Sequence, residues 1–385
     1  MKFPIVHWSF AAIGAVLFST TALAQKVPAQ YLITGSAAEK IQDFTTINLA
    51  TAEGIAEACE DAAEAQHVLV SIMVLDKAGN EVYMDRMDGQ GYLAIATAEM
   101  KARTALLERE PSKVLMNRII ENPALELQTI QLGLFANSGG LPIVVEHQLI
   151  GAVGVGGSAP KPPIWSDEIC GHRALIKVFG PGVAPLVQDL PRRRSVNPIK
   201  APVPRFATTT VPKSSLPAQW VVSGAAAAAI ADGTQISLAA AKKIARVCRD
   251  WAASKGGTMS LYIIDDEGEL VHMERMDGQI DNDIRTALLK AQTALKTRQP
   301  TSIRAAQLQN DPSGFPRQIA KYRFFTNSGG LPIIVDGQLI GAIGVSGLAG
   351  GGAGGGDETC AIEGLKAVFG PDVALPVYPA AARAP

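Results

Sequence analysis

Residues 137–156 read NSGGLPIVVEHQLIGAVGVG, and residues 327–346 read NSGGLPIIVDGQLIGAIGVS. Each stretch starts with an Asn-Ser-Gly-Gly turn and continues as an apolar strand, a tight hairpin and a second apolar strand that ends in small residues. Two copies of one pattern in a single chain indicate an internal duplication.

The duplication extends over most of the chain. At an offset of about 189 residues, PAQYLITGSAAEKI at 28–41 aligns with PAQWVVSGAAAAAI at 217–230, and each copy closes with a VFGP segment. A unit of this size is long enough to fold around its own core. We therefore predict two homologous domains, 28–190 and 217–380, joined by a Pro-rich linker at 191–216.

The order of local patterns is the same in both copies. In the first, a helical pattern at 48–66 precedes two strands, at 68–76 and 81–88, and a longer helix at 92–109. A strand pair and a closing helix complete the unit. Because strands joined by tight turns are antiparallel, we expect an α+β fold with one antiparallel sheet and helices on its faces.

The composition limits the partners of the protein, and the N-terminal residues indicate its location. The formal net charge is −1, which does not favour nucleic acid as a partner, and the basic cluster at 192–194 falls in the linker. The apolar run WSFAAIGAVLF at 8–18, followed by an A-x-A pattern at 22–24, is typical of a secretory signal peptide. We expect residues 1–24 to be a signal peptide and the mature protein to be periplasmic. An uncleaved anchor is the alternative.

Each copy holds two cysteines at matching positions, Cys59 and Cys170 in the first and Cys248 and Cys360 in the second. In an oxidising compartment they are candidates for two internal disulfides that tie the first long helix to the last. Four buried free thiols are the alternative.

The RMDG segments at 86–89 and 275–278 are the first candidate site. An Arg and an Asp two residues apart on a strand share one face, so Arg86 with Asp88, and Arg275 with Asp277, could bind a ligand carboxylate together. A structural Arg–Asp pair at the end of the hairpin explains the motif equally well.

The helix lysines and the Gly turns form the second candidate. Lys101 and Lys290 lie among alanines and could hold an anion, or could extend from an apolar face to solvent. Consecutive glycines can present backbone N–H groups to an anion, or can serve only as strand-entry turns. The turn residues concerned are Asn137, Gly139, Gly140, Asn327, Gly329 and Gly330.

The histidines of the mature chain are not duplicated. His67, His147, His172 and His272 have no histidine at the matching position of the other copy, so a duplicated zinc site is not expected. His272 lies beside the second RMDG segment and is the first candidate metal ligand, while His147 and His172 could also reach an iron.

With these residues in hand, the chain resembles the GlcG/HbpS-like haem-binding family, whose domain also occurs at the C-terminal end of PduO-type proteins. The resemblance is carried by VLDKAG and IIDDEG, RMDG, K-A-x-T-A, GGLPI, IGAxGV and D-E-x-C. It implies profilin-like domains, each with an antiparallel sheet of about five strands flanked by helices. It also implies association into dimers or larger oligomers, so the tandem chain would be a pseudo-dimer.

The resemblance further implies a tetrapyrrole ligand, haem first and a corrinoid second. We expect an exported binding protein, non-catalytic or weakly catalytic. In this hypothesis Arg86, Arg275, Lys101 and Lys290 contact the carboxylates, the Gly turns shape the wall, and His272 or His147 contacts the metal. Two alternatives stay open. One is an enzyme acting on a small organic acid in the same pocket, with Asp88 or Asp277 as acid or base. The other is an accessory subunit of an exported oxidoreductase.

Overall fold

The computed structural model describes residues 27–158, 164–183, 186–188, 214–230, 232–310, 315–348, 356–371 and 373. The helices of the first half are α1 (Gly35–Ile41), α2 (Leu49–Glu64), α3 (Tyr92–Glu108), α4 (Ser112–Glu121), α5 (Glu126–Gln131) and α6 (Asp167–Phe179). Its strands are β1 (Ser71–Asp76), β2 (Glu81–Arg86), β3 (Gly140–Val145) and β4 (Gln148–Gly156). Two short 3-10 helices, Ala29–Tyr31 and Pro123–Leu125, complete this half.

The second half repeats the order of the first. Its helices are α7 (Gly224–Ile230), α8 (Leu238–Ser254), α9 (Asp281–Thr297), α10 (Thr301–Asn310), α11 (Phe315–Tyr322) and α12 (Gly356–Phe369). Its strands are β5 (Ser260–Asp265), β6 (Leu270–Arg275), β7 (Gly330–Val335) and β8 (Gln338–Ser346). Asn48 and Ser237 cap the first long helix of each half, because their side chains accept the N–H groups of Thr51 and Ala240.

All eight strands form one antiparallel sheet in the order β3-β4-β1-β2-β6-β5-β8-β7. The halves meet at β2 and β6, where Met84 pairs with Met273 and Asp85 pairs with His272. Met84 and Met273 are equivalent positions of the repeat, so a pseudo-twofold axis passes between them. The tandem chain therefore has the pseudo-dimeric arrangement that the resemblance implied.

The two faces of the sheet carry different helices, since alternate strand residues point to opposite sides. On one face, Ile72 and Val74 lie in a large core built with α2, α6, α8 and α12. On the other, Met73, Leu75 and Met84 pack against α3 and against residues of α9. The first core is continuous across both halves, which makes the junction part of the hydrophobic interior.

Glycine allows α3 to lie directly on the sheet. A Cβ atom on Gly154 would be 1.9 Å from the carbonyl oxygen of Ala98, and one on Gly140 would be 2.0 Å from that of Lys101. Any other residue at these two positions would push the helix off the strands. The repeated GGLPI and IGAxGV motifs therefore have a packing role.

Each half contains one disulfide. Cys59–Cys170 joins α2 to α6, and Cys248–Cys360 joins α8 to α12. The structure thus shows the disulfide alternative of the two that the sequence left open. Both bonds lie in the shared core, where they hold the outer helix of each half against the inner one.

The predicted α+β class, with helices flanking an antiparallel sheet, is confirmed. Each half contributes four strands to the described sheet, whereas about five were expected. The lead-in segments form only isolated bridges, Leu32 to Ile47 and Val221 to Ile236. The signal peptide at 1–24 and linker residues 191–213 lie outside the described residues. Within the described part of the chain, every helix is too short or too polar to cross a bilayer.

Candidate functional site

The RMDG arginines lie at the junction and contact the opposite half. Arg86 Nη2 is 2.6 Å from Asp265 Oδ2, and its Nε donates to the carbonyl of Leu270 at 2.7 Å. Arg275 makes the matching contacts with Asp76 and Glu81, at 2.7 and 2.9 Å. Both guanidinium groups are buried, so each ion pair is shielded from water and salt.

The RMDG aspartates make a second reciprocal contact. Asp88 accepts the backbone N–H of Leu238 at 2.7 Å, and Asp277 accepts that of Leu49 at 2.8 Å. These N–H groups belong to the first residues of α8 and α2, which lack a partner within their own helix. The two arginines and two aspartates of the RMDG segments thus join each half to the other. These four residues, Arg86, Asp88, Arg275 and Asp277, are named here the RMDG clasp.

A ligand carboxylate would have to displace internal partners to reach Arg86 or Arg275. The binding role predicted for these arginines and for Asp88 and Asp277 stays a prediction, whereas their contacts match the structural alternative. Asp76 and Asp265 also accept N–H groups of their own hairpin turns, so the VLDKAG and IIDDEG motifs belong to the same junction.

In each half, the structure places the helix lysine beside the Gly turn of the same half. Lys101 Nζ donates to the carbonyl of Val155 at 2.9 Å and to Asp167 Oδ2 at 2.7 Å, and Lys290 repeats this with Val345 and Asp357 at 2.8 Å. Both lysines are buried. They hold the closing helices α6 and α12 to strands β4 and β8, and these hydrogen bonds involve no residue of the RMDG clasp.

The glycines of the turns are closely packed, whereas the asparagines are exposed. Gly139 and Gly329 have φ values of 117° and 113°, and a Cβ atom on either would collide with a strand carbonyl and with the aspartate that pairs with the lysine. Gly140 and Gly330 face the helix backbone in the same close manner. Asn137 and Asn327 are exposed. Contact of any of them with an anion stays a prediction.

The junction also holds a group of seven acidic and basic side chains, called here the central charge cluster, of which three are buried and four are partly buried. Its members come from α2, α8 and the central strands: Glu53, Glu60, Asp85, Lys242, Arg249, His272 and Glu274. Lys242 lies 3.0 Å from Glu60 and 2.9 Å from Asp85, and Arg249 lies 3.1 Å from both Glu53 and Glu274. Each base of α8 therefore bridges an acid of α2 and an acid of the sheet.

His272 is held inside this cluster on both sides. Its Nδ1 is 2.5 Å from Asp85 Oδ1, and its Nε2 is 3.2 Å from Glu274 Oε1. Burial alone would lower the pKa of His272, but the Asp85 carboxylate, with which it also forms a hydrogen bond, raises it to about 9. In return, His272 and Lys242 outweigh the effect of burial and hold the pKa of Asp85 at about 2.

A metal at His272 would have to displace one of these carboxylates. Within the described residues, no group of three or more His, Cys, Asp or Glu side chains could hold a metal ion. The metal role predicted for His272 stays a prediction, and the histidine's observed partners give it the alternative role of a buried cation.

The central charge cluster was missed in the sequence, although comparing the two copies could have found it. At the repeat offset, Glu53 corresponds to Lys242 and Glu60 to Arg249, so acids of one helix are replaced by bases of the other. Opposite charges at equivalent positions are expected where two related elements face each other across a pseudo-twofold axis.

Two clefts open beside the junction. The first, named the α2–α8 cleft, has a volume of about 660 Å³. It is lined by Glu60, Glu64, His67, Val68, Leu69, Met87, Asp88, Leu238, Ala239 and Lys242. The second, named the α3 cleft, has a volume of about 480 Å³ and includes Arg86, Gln90, Tyr92, Leu93, Gln235, Glu267 and Glu269. The first has the larger apolar wall, and polar side chains dominate the second.

Glu60 connects the α2–α8 cleft to the central charge cluster. Burial and the neighbouring Asp85 charge raise the pKa of Glu60 to about 8, although Lys242 acts in the opposite direction. In most molecules the Glu60 carboxyl is therefore protonated at neutral pH. Burial also raises the pKa of Asp88, whose hydrogen bond to Leu238 limits the rise.

The family model described as "Haem degrading protein HbpS-like" matches residues 47–168 and 236–366. An uncharacterized 15.0 kDa protein of the dhaT-dhaS intergenic region of Citrobacter freundii is 35% identical over 140 residues, which are 35% of this chain and 94% of that protein. Protein GlcG of Escherichia coli K12 is 37% identical over 104 residues, 27% of this chain and 76% of GlcG.

Among solved structures, that of HbpS is 32% identical, with a TM-score of 0.31, and covers 35% of this chain and 92% of its own. The two curated relatives match 35% and 27% of this chain, and each therefore corresponds to one copy of the domain. The two regions matched by the family model together make up well over half of the 385 residues. The chain belongs to the HbpS-like family and carries two copies of its domain.

Proposed function

We propose that the protein binds haem, or another flat tetrapyrrole, in the α2–α8 cleft. The family description, which names haem, supports a tetrapyrrole as the ligand. The observation that carries the location is the cleft itself. Its volume of about 660 Å³ falls within the range of roughly 300–1,000 Å³ that is usual for small-molecule sites. Val68, Leu69, Met87 and Leu238 give it the apolar wall that a macrocycle requires.

The lining of the cleft includes one base, Lys242, and three acids, Glu60, Glu64 and Asp88. Lys242 supplies a cation, and protonation of Glu60 removes one negative charge from the wall at neutral pH. An anionic carboxylate of the ligand would therefore compete with Asp85 and Glu60 for Lys242. Bound haem would supply an iron centre open to redox and ligand chemistry, while the protein's residues would provide the apolar slot and its charge.

We further propose that the protein acts outside the cytoplasm, as a non-catalytic or weakly catalytic binding protein. The signal-peptide pattern at 1–24 supports export. The two disulfides support an oxidising compartment, because such bonds persist outside the reducing cytosol.

A haemin titration of the purified protein, followed by absorbance in the Soret region, tests the ligand and the cleft together. We expect a saturable, shifted Soret band. Leu69→Thr places in the cleft the residue that the second half carries at the equivalent position, 258, and should weaken haemin binding because the apolar wall is reduced.

Leu93→Ala is the matched control, since Leu93 is an exposed leucine of the α3 cleft. If Leu93→Ala weakens binding and Leu69→Thr does not, the ligand lies in the α3 cleft. Absence of any saturable band would exclude haem as the ligand.

A further inference from the structure

We propose that His67 supplies the iron ligand of a haem bound in the α2–α8 cleft, and that the chain therefore holds one haem rather than two. This inference rests on the proposed function. It concerns a histidine that has no counterpart in the second half, and it assigns the two halves different roles in binding.

The imidazole of His67 is placed to ligate. His67 follows the C-terminal end of α2, is exposed, and lines the cleft beside Val68 and Leu69. Within the described part of the chain, no hydrogen bond or ion pair occupies its ring, whereas both ring nitrogens of His272 face carboxylates. A neutral imidazole with a free nitrogen is a common protein ligand for haem iron.

The backbone at His67 is unusual for a residue with a side chain. Its φ value is 53°, in the left-handed region, and the equivalent Gly256 has a φ value of 68°. Glycine adopts this conformation at a lower free-energy cost than histidine, so the backbone conformation alone does not favour a histidine at position 67. Conformation alone does not identify a ligand, because His147, with φ 64°, also corresponds to a glycine, Gly337. His147 lies in the β3–β4 turn and lines neither of the two clefts.

The corresponding place in the second half lacks what a haem site needs. Val68 and Leu69 correspond to Gly257 and Thr258, so the apolar wall is lost together with the histidine. The space is also occupied, since a Cβ atom on Gly257 would be 2.6 Å from Leu348 Cδ2. The second half therefore lacks the apolar wall, the histidine and the open space, which favours one haem site per chain.

The test compares His67→Gly with His147→Gly. Both variants introduce the residue that the second half already uses at a positive φ, so neither should disturb the fold. Each protein is titrated with haemin and with iron-free protoporphyrin IX. For His67→Gly we expect haemin affinity to fall at least about tenfold, because loss of a group that only supports a metal ligand already costs about 10–100-fold. Protoporphyrin affinity should not change, and His147→Gly should behave as the wild type.

The electron paramagnetic resonance spectrum of the ferrous nitrosyl form gives a second readout. The nitrogen splitting of a trans imidazole should be present in the wild type and in His147→Gly and absent in His67→Gly. Retention of that splitting in His67→Gly, an equal loss of haemin and protoporphyrin affinity, or two equivalent haems per chain would overturn the inference while leaving haem binding intact. Absence of saturable haemin binding in the wild type would instead overturn the proposed function.

Discussion

Each acid of the central charge cluster faces a base, and each base faces an acid. His272 and Asp85 have no exposed surface, and Glu274 is only 2% exposed. Burying a charge without a partner costs several kcal/mol, whereas a paired group keeps its charge because the partner replaces the lost water. The charges at the junction are therefore interdependent, and protonation of one member changes the stability of the whole cluster.

The stability of the protein should fall as the pH rises from about 6 to 9. The pKa of His272 is about 9 in the folded protein against 6.5 as a reference, so its stabilising contribution is complete below pH 6.5 and is lost as the pH rises through 9. The pKa of Glu60 is raised from 4.5 to about 8, which acts in the same direction. Urea unfolding at pH 6 and 9 measures the change, for which the His272 shift alone implies about 3 kcal/mol.

Glu60→Gln provides the comparison for this pH dependence. Glutamine has the same shape and does not titrate, so the variant should lose less stability between pH 6 and 9 than the wild type. The groups that face residue 60, Lys242 and Asp85, stay charged throughout that interval. Equal slopes for the wild type and Glu60→Gln would contradict the raised pKa of Glu60.

At the scale of elements, the contact between β2 and β6 is set by side chains at the strand ends. Only three residue pairs join these two strands. The RMDG clasp adds two buried ion pairs and two helix-terminal hydrogen bonds to this short contact. The motif most suggestive of a binding site in the sequence thus lies where the two halves need it for pairing.

Arg275→Ala should therefore destabilise the protein by about 3–5 kcal/mol, because it leaves the buried Asp76 carboxylate without its cationic partner. Haemin affinity of the folded protein should not change. Arg285→Ala is the control, since that arginine is 74% exposed in its pair with Asp281 and should cost under about 1 kcal/mol. Urea unfolding and a haemin titration separate the two effects. Lost affinity with unchanged stability would show that Arg275 contacts the ligand.

Local sequence patterns predicted the helices and strands, but they did not predict how the two halves assemble. The helix expected at 48–66 is found at Leu49–Glu64, and the one expected at 92–109 at Tyr92–Glu108, because amphipathic spacing and nearby breakers act locally. The β2–β6 contact depends on residues almost 190 positions apart, and local patterns carry no information about such pairs. His67 was visible as an unmatched histidine, but only the fold shows that it lines a cleft.

At the scale of the whole molecule, the two halves have become complementary rather than identical partners. Helix α2 contributes Glu53 and Glu60 to the junction, and α8 contributes Lys242 and Arg249 at the equivalent positions. Two first halves placed together would bring acids against acids. The charges therefore favour the pairing of a first half with a second half, as found within this chain.

Cutting the linker tests this complementarity. A specific protease site inserted between residues 200 and 210 should yield two fragments that elute together from a sizing column, because the sheet and the first core cross the junction. Salt should not separate them, since the ion pairs of the junction are buried or nearly so.

Arg249→Glu in the same cleavable protein should separate the fragments. The change places a third carboxylate beside Glu53 and Glu274 and breaks two ion pairs, of which only the one to Glu274 has a buried acid. We therefore expect a cost at the lower end of about 3–5 kcal/mol. Before cleavage, the linker holds the halves at an effective concentration of about millimolar, so the uncut variant should still fold as one body. Fragments of the Arg249→Glu protein that stay together after cleavage would show that the apolar core, and not the central charge cluster, decides which halves pair.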